Sequence, residues 1–149
     1  MRKISKIIVS IFFIIALTAC SSHGNCISDT YIEYFGDDDN ITLLKNYEEY
    51  MDYMDKIYSC KVSENYKNQL EKYDEEYFDE NMLAVIYHWE TTGSAKLEVE
   101  SIEYSESDIK IIIERDTPDI VTDDMCAWGI FVDLEKNEKY TTVVYDIVE

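Results

Sequence analysis

Residues 83–89 are apolar at nearly every position, and this run constrains the fold more than any other feature of the chain. A half-exposed strand alternates apolar and polar residues, whereas a strand covered on both faces is apolar throughout. The run therefore predicts a central strand of a sheet. Clean alternation over nine later residues predicts a second strand, whose apolar positions are Cys126, Trp128, Ile130, Val132 and Leu134.

One amphipathic helix is predicted to follow Asn46. Asparagine is a favoured N-cap, and Glu49 stands three positions later, as in a capping box that satisfies free backbone amides. Apolar residues then recur at helical spacing and predict one buried stripe, formed by Tyr47, Tyr50, Met51, Met54 and Tyr58. If this stripe faces the core, an aspartate in place of Met51 should detach the helix.

The remaining strand patterns complete the predicted fold. Apolar runs predict strands within residues 27–35, 41–44, 96–104, 109–113 and 143–147. A change of phase near Glu100 and Ser101 predicts a β-bulge. The order of elements predicts a single α+β domain over residues 27–149. It is mainly an antiparallel β-sheet, or a small sandwich, with one amphipathic helix on its N-terminal side.

The N-terminus has the residue order of an export signal. Three cations, at positions 2, 3 and 6, precede an apolar run over residues 7–17, which is shorter than the roughly 20 residues of a membrane-spanning helix. The motif LTAC at residues 17–20 then resembles the lipobox of bacterial lipoproteins. This resemblance implies cleavage before Cys20 and attachment of lipid to its thiol.

The resemblance to a lipobox also implies an organisation and a location. Residues 1–19 would be a signal peptide, and residues 20–26 a polar tether in front of the folded domain. The protein would be held at the extracytoplasmic face of the cell membrane by the lipid on Cys20. The alternative is an ordinary secreted protein that is cut after Ala19.

The acidic composition argues against several classes of partner. The chain has 13 basic and 32 acidic residues, and loss of residues 1–19 would leave ten basic residues and a formal charge of −22. Such a charge argues against binding to nucleic acid or to an anionic membrane surface. Basic proteins, basic peptides and cations are compatible partners, and so is a role in solubility alone.

Three cysteines follow the lipobox, namely Cys26, Cys60 and Cys126. An extracytoplasmic compartment permits disulfides, and three thiols allow at most one. We expect a bond between Cys26 and Cys60, because both lie at the ends of predicted elements. The alternative is that all three thiols are unpaired. Their spacing fits no zinc site.

Few residues suit catalysis or metal binding. His88 could pair with Cys126 or Ser94 as base and nucleophile, but a histidine packed at a strand end is the simpler interpretation. Acidic stretches at residues 37–39, 116–119 and 123–124 offer oxygen ligands for calcium, although they lack the pattern of a calcium-binding loop. The sequence therefore predicts a protein without enzymatic activity and without a cofactor.

Several short motifs from residue 41 onward resemble a known domain. They are Tyr47-Glu48-Glu49-Tyr50, Tyr77-Phe78 with Asn81 before residues 83–86, Gly93-Ser94 before Val99 and Ile102, residues 111–115 with Pro118, and Thr122-Asp123-Asp124-Met125. They resemble the C-terminal domain of the PrcB family, bacterial lipoproteins associated with surface proteases. The resemblance implies a β-rich fold and a binding role, and it implies no catalytic residue.

Two loops are predicted to form a binding rim, because they flank neighbouring strands. The candidate residues are Trp89, Gly93, Ser94, Asp123, Asp124 and Met125. Among them, Trp89 and Met125 are the expected exposed contacts, while Trp128 is assigned to the core by its place in the alternation. The resulting hypothesis is a lipoprotein that binds a protein partner, with a surface protease as a candidate. The alternative is a solute- or calcium-binding lipoprotein that uses its acidic loops.

Overall fold

The structure is a computed structural model that describes residues 24–28, 32 and 40–149. The expected signal peptide, Cys20 and the acidic stretch at residues 37–39 lie outside the described residues. Within the described part, no helix is both long and apolar enough to cross a membrane. The first strand begins at Gly24, so residues 24–26, which were expected in the tether, pair with a later strand of the domain.

The described residues form two sheets and three helices. The first sheet has the order β1 (Gly24–Ser28), β6 (Cys126–Glu135), β3 (Asn81–Glu90) and β2 (Asn40–Leu44), and its pairs are all antiparallel. The second has the order β4 (Lys96–Tyr104), β5 (Asp108–Asp116) and β7 (Thr142–Val148). The helices are α1 (Tyr47–Tyr58), α2 (Glu64–Leu70) and α3 (Tyr77–Glu80).

These elements confirm the broad α+β prediction and correct three details. Helix α2 was not expected beside α1. The last strand, β7, pairs with β5 in parallel, whereas an antiparallel pair was expected. The first strand begins at Gly24, before the expected start at residue 27, and residues 29–31 and 33–35 of the predicted strand lie outside the described residues. The predicted bulge is confirmed, because the register of β4 against β5 shifts between Val99 and Ser101.

Strands β3 and β6 are covered on both faces by two separate apolar cores. On β3, Leu83 and Val85 contribute to a core that includes the helices, while Ala84 and Ile86 contribute to a core shared with the second sheet. This division follows from the period of two in a strand. The central-strand prediction for residues 83–89 is therefore confirmed, and the domain has three layers: helices, four-stranded sheet and three-stranded sheet.

Helix α1 is capped by Asn46, whose Oδ1 accepts a hydrogen bond of 2.9 Å from the amide of Glu49. The buried face, however, differs from the predicted stripe. It consists of Tyr50, Tyr53, Met54 and Ile57. Met51 is 43% exposed, and Tyr58 lies at the surface, where its hydroxyl donates a hydrogen bond to Glu71. The expectation that Met51 holds the helix to the core is therefore wrong.

The helical layer is joined to the sheet through Tyr66 of α2. Its hydroxyl lies 2.6 Å from that of Tyr53, and its ring packs 5.0 Å from the ring of Phe131. Gly129 of β6 makes room for this ring, because a Cβ atom at that position would lie 2.7 Å from it. Two carbon atoms at that distance would overlap, so this close approach requires glycine.

The expected disulfide between Cys26 and Cys60 is absent, and both cysteines are free thiols. Cys26 packs against the core between the two sheets, whereas Cys60 packs against the core on the helical side. The four-stranded sheet separates these two cores, and a disulfide requires Cα atoms within about 7 Å. The predicted pairing is therefore excluded by the layer structure.

Substitution of two methionines on α1 tests which face of the helix packs against the core. We expect Met54→Ala to lower the free energy of unfolding by about 2–5 kcal/mol, because Met54 is only 8% exposed and its loss leaves a cavity. Met51→Ala should change it by less than about 0.5 kcal/mol. Urea denaturation of both variants measures the difference, and equal losses would contradict the assigned face.

Candidate functional site

Two connections between the sheets lie side by side at one end of the domain. Residues 91–95 join β3 to β4, and residues 117–125 join β5 to β6. Glu90 pairs with Cys126 in the first sheet, and Lys96 pairs with Asp116 in the second. The two loops therefore begin and end at neighbouring strand ends. We call the longer one, residues 117–125, the β5–β6 loop.

Hydrogen bonds join the two loops into one unit. The hydroxyls of Ser94 and Thr122 are 2.7 Å apart, and the amide of Thr122 donates to the Ser94 hydroxyl at 3.1 Å. The hydroxyl of Thr92 lies 3.2 Å from that of Thr122. The amide of Gly93 donates to the carbonyl of Asp124 at 2.8 Å. We call these five residues the loop clamp.

Gly93 and Asp124 are in close contact within the loop clamp. A Cβ atom on Gly93 would lie 2.5 Å from a carboxylate oxygen of Asp124, so a larger residue at position 93 would displace this carboxylate. The same carboxylate accepts a hydrogen bond of 3.2 Å from the Gly93 amide. The hydroxyl of Thr122 and this amide hold the pKa of Asp124 below its ordinary value of 3.8, because both donate to the ionised carboxylate.

The β5–β6 loop exposes three large apolar side chains. Ile120 is 87% exposed, Val121 is 53% exposed and Met125 is 66% exposed. Next to them is a recess of about 340 Å³, lined by Thr91, Thr92, Arg115, Thr117, Val121, Thr122 and Asp123. The loop thus offers apolar contact area beside a concave polar surface, a combination that is typical of interaction sites.

A buried ionic network ties the two sheets together beneath the loops. Glu90 of β3 is only 5% exposed, and Arg115 of β5 donates to both of its carboxylate oxygens at 3.0–3.1 Å. Arg115 also donates to Glu149 at 2.9 Å. The two ring nitrogens of His88 lie 3.3 Å from Glu90 and 3.1 Å from the hydroxyl of Tyr145 on β7. His88 is thus packed within a structural network at a strand end.

The predicted binding residues are only partly brought together. Gly93, Ser94 and Asp124 meet in the loop clamp, Asp123 lines the recess, and Met125 is exposed as expected. Trp89 lies apart from these residues. It is half-buried and packs 5.9 Å from the ring of Tyr87, against the core on the helical side. Its side chain therefore lies on the helical face of the first sheet, opposite the face that packs against the second sheet.

Four residues of this site were not predicted from the sequence, namely Ile120, Val121, Thr92 and Arg115. Ile120 and Val121 are adjacent apolar residues between Pro118 and two aspartates, and a short apolar pair outside a strand pattern was the available signal. Arg115 carried no such signal, because its partner Glu90 is 25 positions away and on another sheet.

The described carboxylates do not assemble a metal site. Across residues 24–28, 32 and 40–149, no group of three or more histidine, cysteine, aspartate or glutamate side chains is placed so that it could hold a metal ion. The aspartates at positions 116, 119, 123 and 124 belong to this described part, whereas those at positions 37–39 lie outside it.

A second, larger cleft opens between the sheet edges β1 and β4. Its volume is about 510 Å³, and it is lined by Gly24, Asn25, Cys26, Lys96, Leu97, Glu98, Val99 and Trp128. Burial raises the pKa of Cys26 to about 11, so the thiol is protonated at neutral pH and is a poor nucleophile. Among the described residues that line this cleft, Cys26 is the only thiol, and it is not activated for nucleophilic attack.

Comparison with known proteins gives no match: no protein-family model, no curated protein and no solved structure is similar to this chain. A function therefore has to be argued from the chemistry of the loops.

The carboxylate of Asp124 should control the loop clamp as pH falls. Because the pKa of Asp124 is lowered in the folded state, its ionised carboxylate stabilises the fold fully at pH values above the ordinary pKa. This stabilisation is lost as pH falls through the folded-state pKa. We expect the NMR shift of the Gly93 amide to titrate with a midpoint below 3.8. Asp124→Asn should abolish this titration and Asp123→Asn should retain it. A midpoint at or above the ordinary value would contradict the assignment.

Proposed function

We propose that the chain is a lipid-anchored binding module of the cell envelope, without enzymatic activity, that docks a protein partner on its β5–β6 loop. One observation carries the proposal: Ile120, Val121 and Met125 are exposed together on a loop whose base is held by the loop clamp. Exposed large apolar groups on a fixed loop favour association, because the loop needs little further ordering on binding.

The size of the apolar contact favours a protein over a small solute. Complete burial of a large aliphatic side chain contributes about 1.5–3 kcal/mol, so three such side chains supply a substantial part of a micromolar affinity. These side chains project from the surface, and a partner has to surround them in order to bury them. A small molecule would instead be bound inside a concave pocket.

The lipobox and the charge support a location at the envelope. A lipid on Cys20 would hold the domain close to the membrane, while its negative charge would keep it away from anionic headgroups. The resemblance to the PrcB family makes a surface protease a candidate partner. Such a partner would be bound by contact with the loop and would not require a catalytic group from this chain.

The partner-binding proposal is tested by crosslinking in membranes followed by affinity measurement. We expect the double variant Ile120→Ser/Met125→Ser to bind its captured partner at least about tenfold more weakly, a loss of ~1.4 kcal/mol. Val144→Ser is the matched control, because Val144 is a 45% exposed aliphatic residue on β7. Failure to enrich any protein, or equal binding by all three proteins, would contradict the proposal.

The anchor is tested separately by metabolic labelling with a fatty acid. We expect the wild-type chain to carry the label and to sediment with membranes, because a lipid on Cys20 would partition into the bilayer. Cys20→Ser should be unlabelled. An unlabelled wild-type protein that is free in the medium would refute lipid anchoring.

A further inference from the structure

Carboxylates surround the apolar side chains of the β5–β6 loop. Residues 116–125 contain four aspartates and no lysine, arginine or histidine. All four aspartates, at positions 116, 119, 123 and 124, are exposed, and so are Ile120, Val121 and Met125 between and beside them. Asp116 lies opposite Lys96 in the pairing of β5 with β4, whereas the loop itself, residues 117–125, contains three aspartates and no basic residue. The loop therefore combines exposed apolar side chains with a negative charge.

The cation that precedes the loop cannot balance this charge. Arg115 donates hydrogen bonds from Nε and Nη2 to Glu90 and from Nη1 to Glu149. These three residues together carry a formal charge of −1. The recess beside the loop therefore has a guanidinium in its lining that is already neutralised, while the carboxylate of Asp123 is exposed there.

We infer that the partner binds through a basic segment, in which lysine or arginine side chains flank at least one large apolar side chain. This inference rests on the proposed function and adds the chemistry of the partner. The apolar side chain would contact Ile120 and Met125, and the flanking cations would face Asp119 and Asp123. An acidic segment with the same apolar residues would be repelled by the loop and by the chain as a whole, whose formal charge is −19.

The charges are expected to select the partner more than to strengthen the complex. An exposed ion pair contributes only about 0–1 kcal/mol, whereas complementary charge accelerates association and disfavours partners of like charge. The apolar contacts would supply most of the affinity, and the aspartates would decide which apolar segment is accepted. Binding should therefore weaken as salt screens these aspartates.

The test uses the full chain in a nonionic detergent and two synthetic peptides. Both peptides have leucines in an alanine background at the same positions, and the remaining positions are lysine in one peptide and glutamate in the other. We expect the lysine peptide to bind and the glutamate peptide to show no binding, as measured by fluorescence anisotropy. An increase from about 50 to about 500 mM salt should weaken the binding of the lysine peptide.

Matched charge-neutralising variants distinguish an effect of the loop aspartates from an effect of the overall negative charge of the chain. Asp119→Asn/Asp123→Asn should weaken binding of the lysine peptide by about tenfold or more. Asp52→Asn/Asp55→Asn changes the net charge by the same amount on the exposed side of α1, and it should weaken binding by less than about threefold. Thermal unfolding of both variants checks that the fold is retained.

Each contrary result overturns the inference. These results are equal effects of the two neutralising variants, equal binding of the two peptides, or no binding of the lysine peptide at about 1 mM. If the partner captured from membranes depends on Ile120 and Met125 but not on Asp119 and Asp123, the basic-segment inference fails and the proposed function stands. If capture does not depend on Ile120 and Met125, the proposed function itself fails.

Discussion

The burial of β3 and β6 on both faces is the constraint on which the rest of the domain depends. A sheet whose two central strands have apolar side chains on each side needs a covering layer on each side. The helices cover one face and the three-stranded sheet covers the other. Gly129 and Tyr66 show how closely the helical layer approaches, because this contact leaves no room for a Cβ atom.

The same arrangement places the candidate binding surface. Since β3 pairs with β6 in one sheet and β4 pairs with β5 in the other, the β3–β4 and β5–β6 connections leave the sheets at the same end. Glu90 and Arg115 join the sheets directly beneath these connections, and the loop clamp joins the loops to each other. A loop that carries apolar side chains outward is therefore supported from below by strands and an ion pair, which limits the conformations that it can sample.

Sequence patterns predicted the features that depend on local order. The double-sided strand at residues 83–89, the bulge in β4 and the Asn46 cap all follow from residues within a few positions of one another. The proximity of Gly93, Ser94 and Asp124 was also predictable, since it needed only that the flanking strands be neighbours.

Features that depend on distant residues could not be predicted in this way. Apolar residues occupy two adjacent faces of α1, and only the position of α2 decides that Tyr53 is buried while Tyr58 is not. Trp89 continues an apolar run, but the core that it joins is set by the helices. The parallel pairing of β7 with β5 depends on the return of the chain from the first sheet, which no local pattern records.

The pairing of the first strand with the sixth has a consequence for how the chain is made. Gly24 pairs with Val132, so β1 cannot pair with β6 until almost the whole polypeptide has been synthesised. Until then β3 can pair only with β2, which precedes it by three helices, and a sheet of two strands is marginally stable in water. The four-stranded sheet therefore cannot be completed until β6 has been synthesised, and its earlier strands stay exposed to chaperones and to degradation until then.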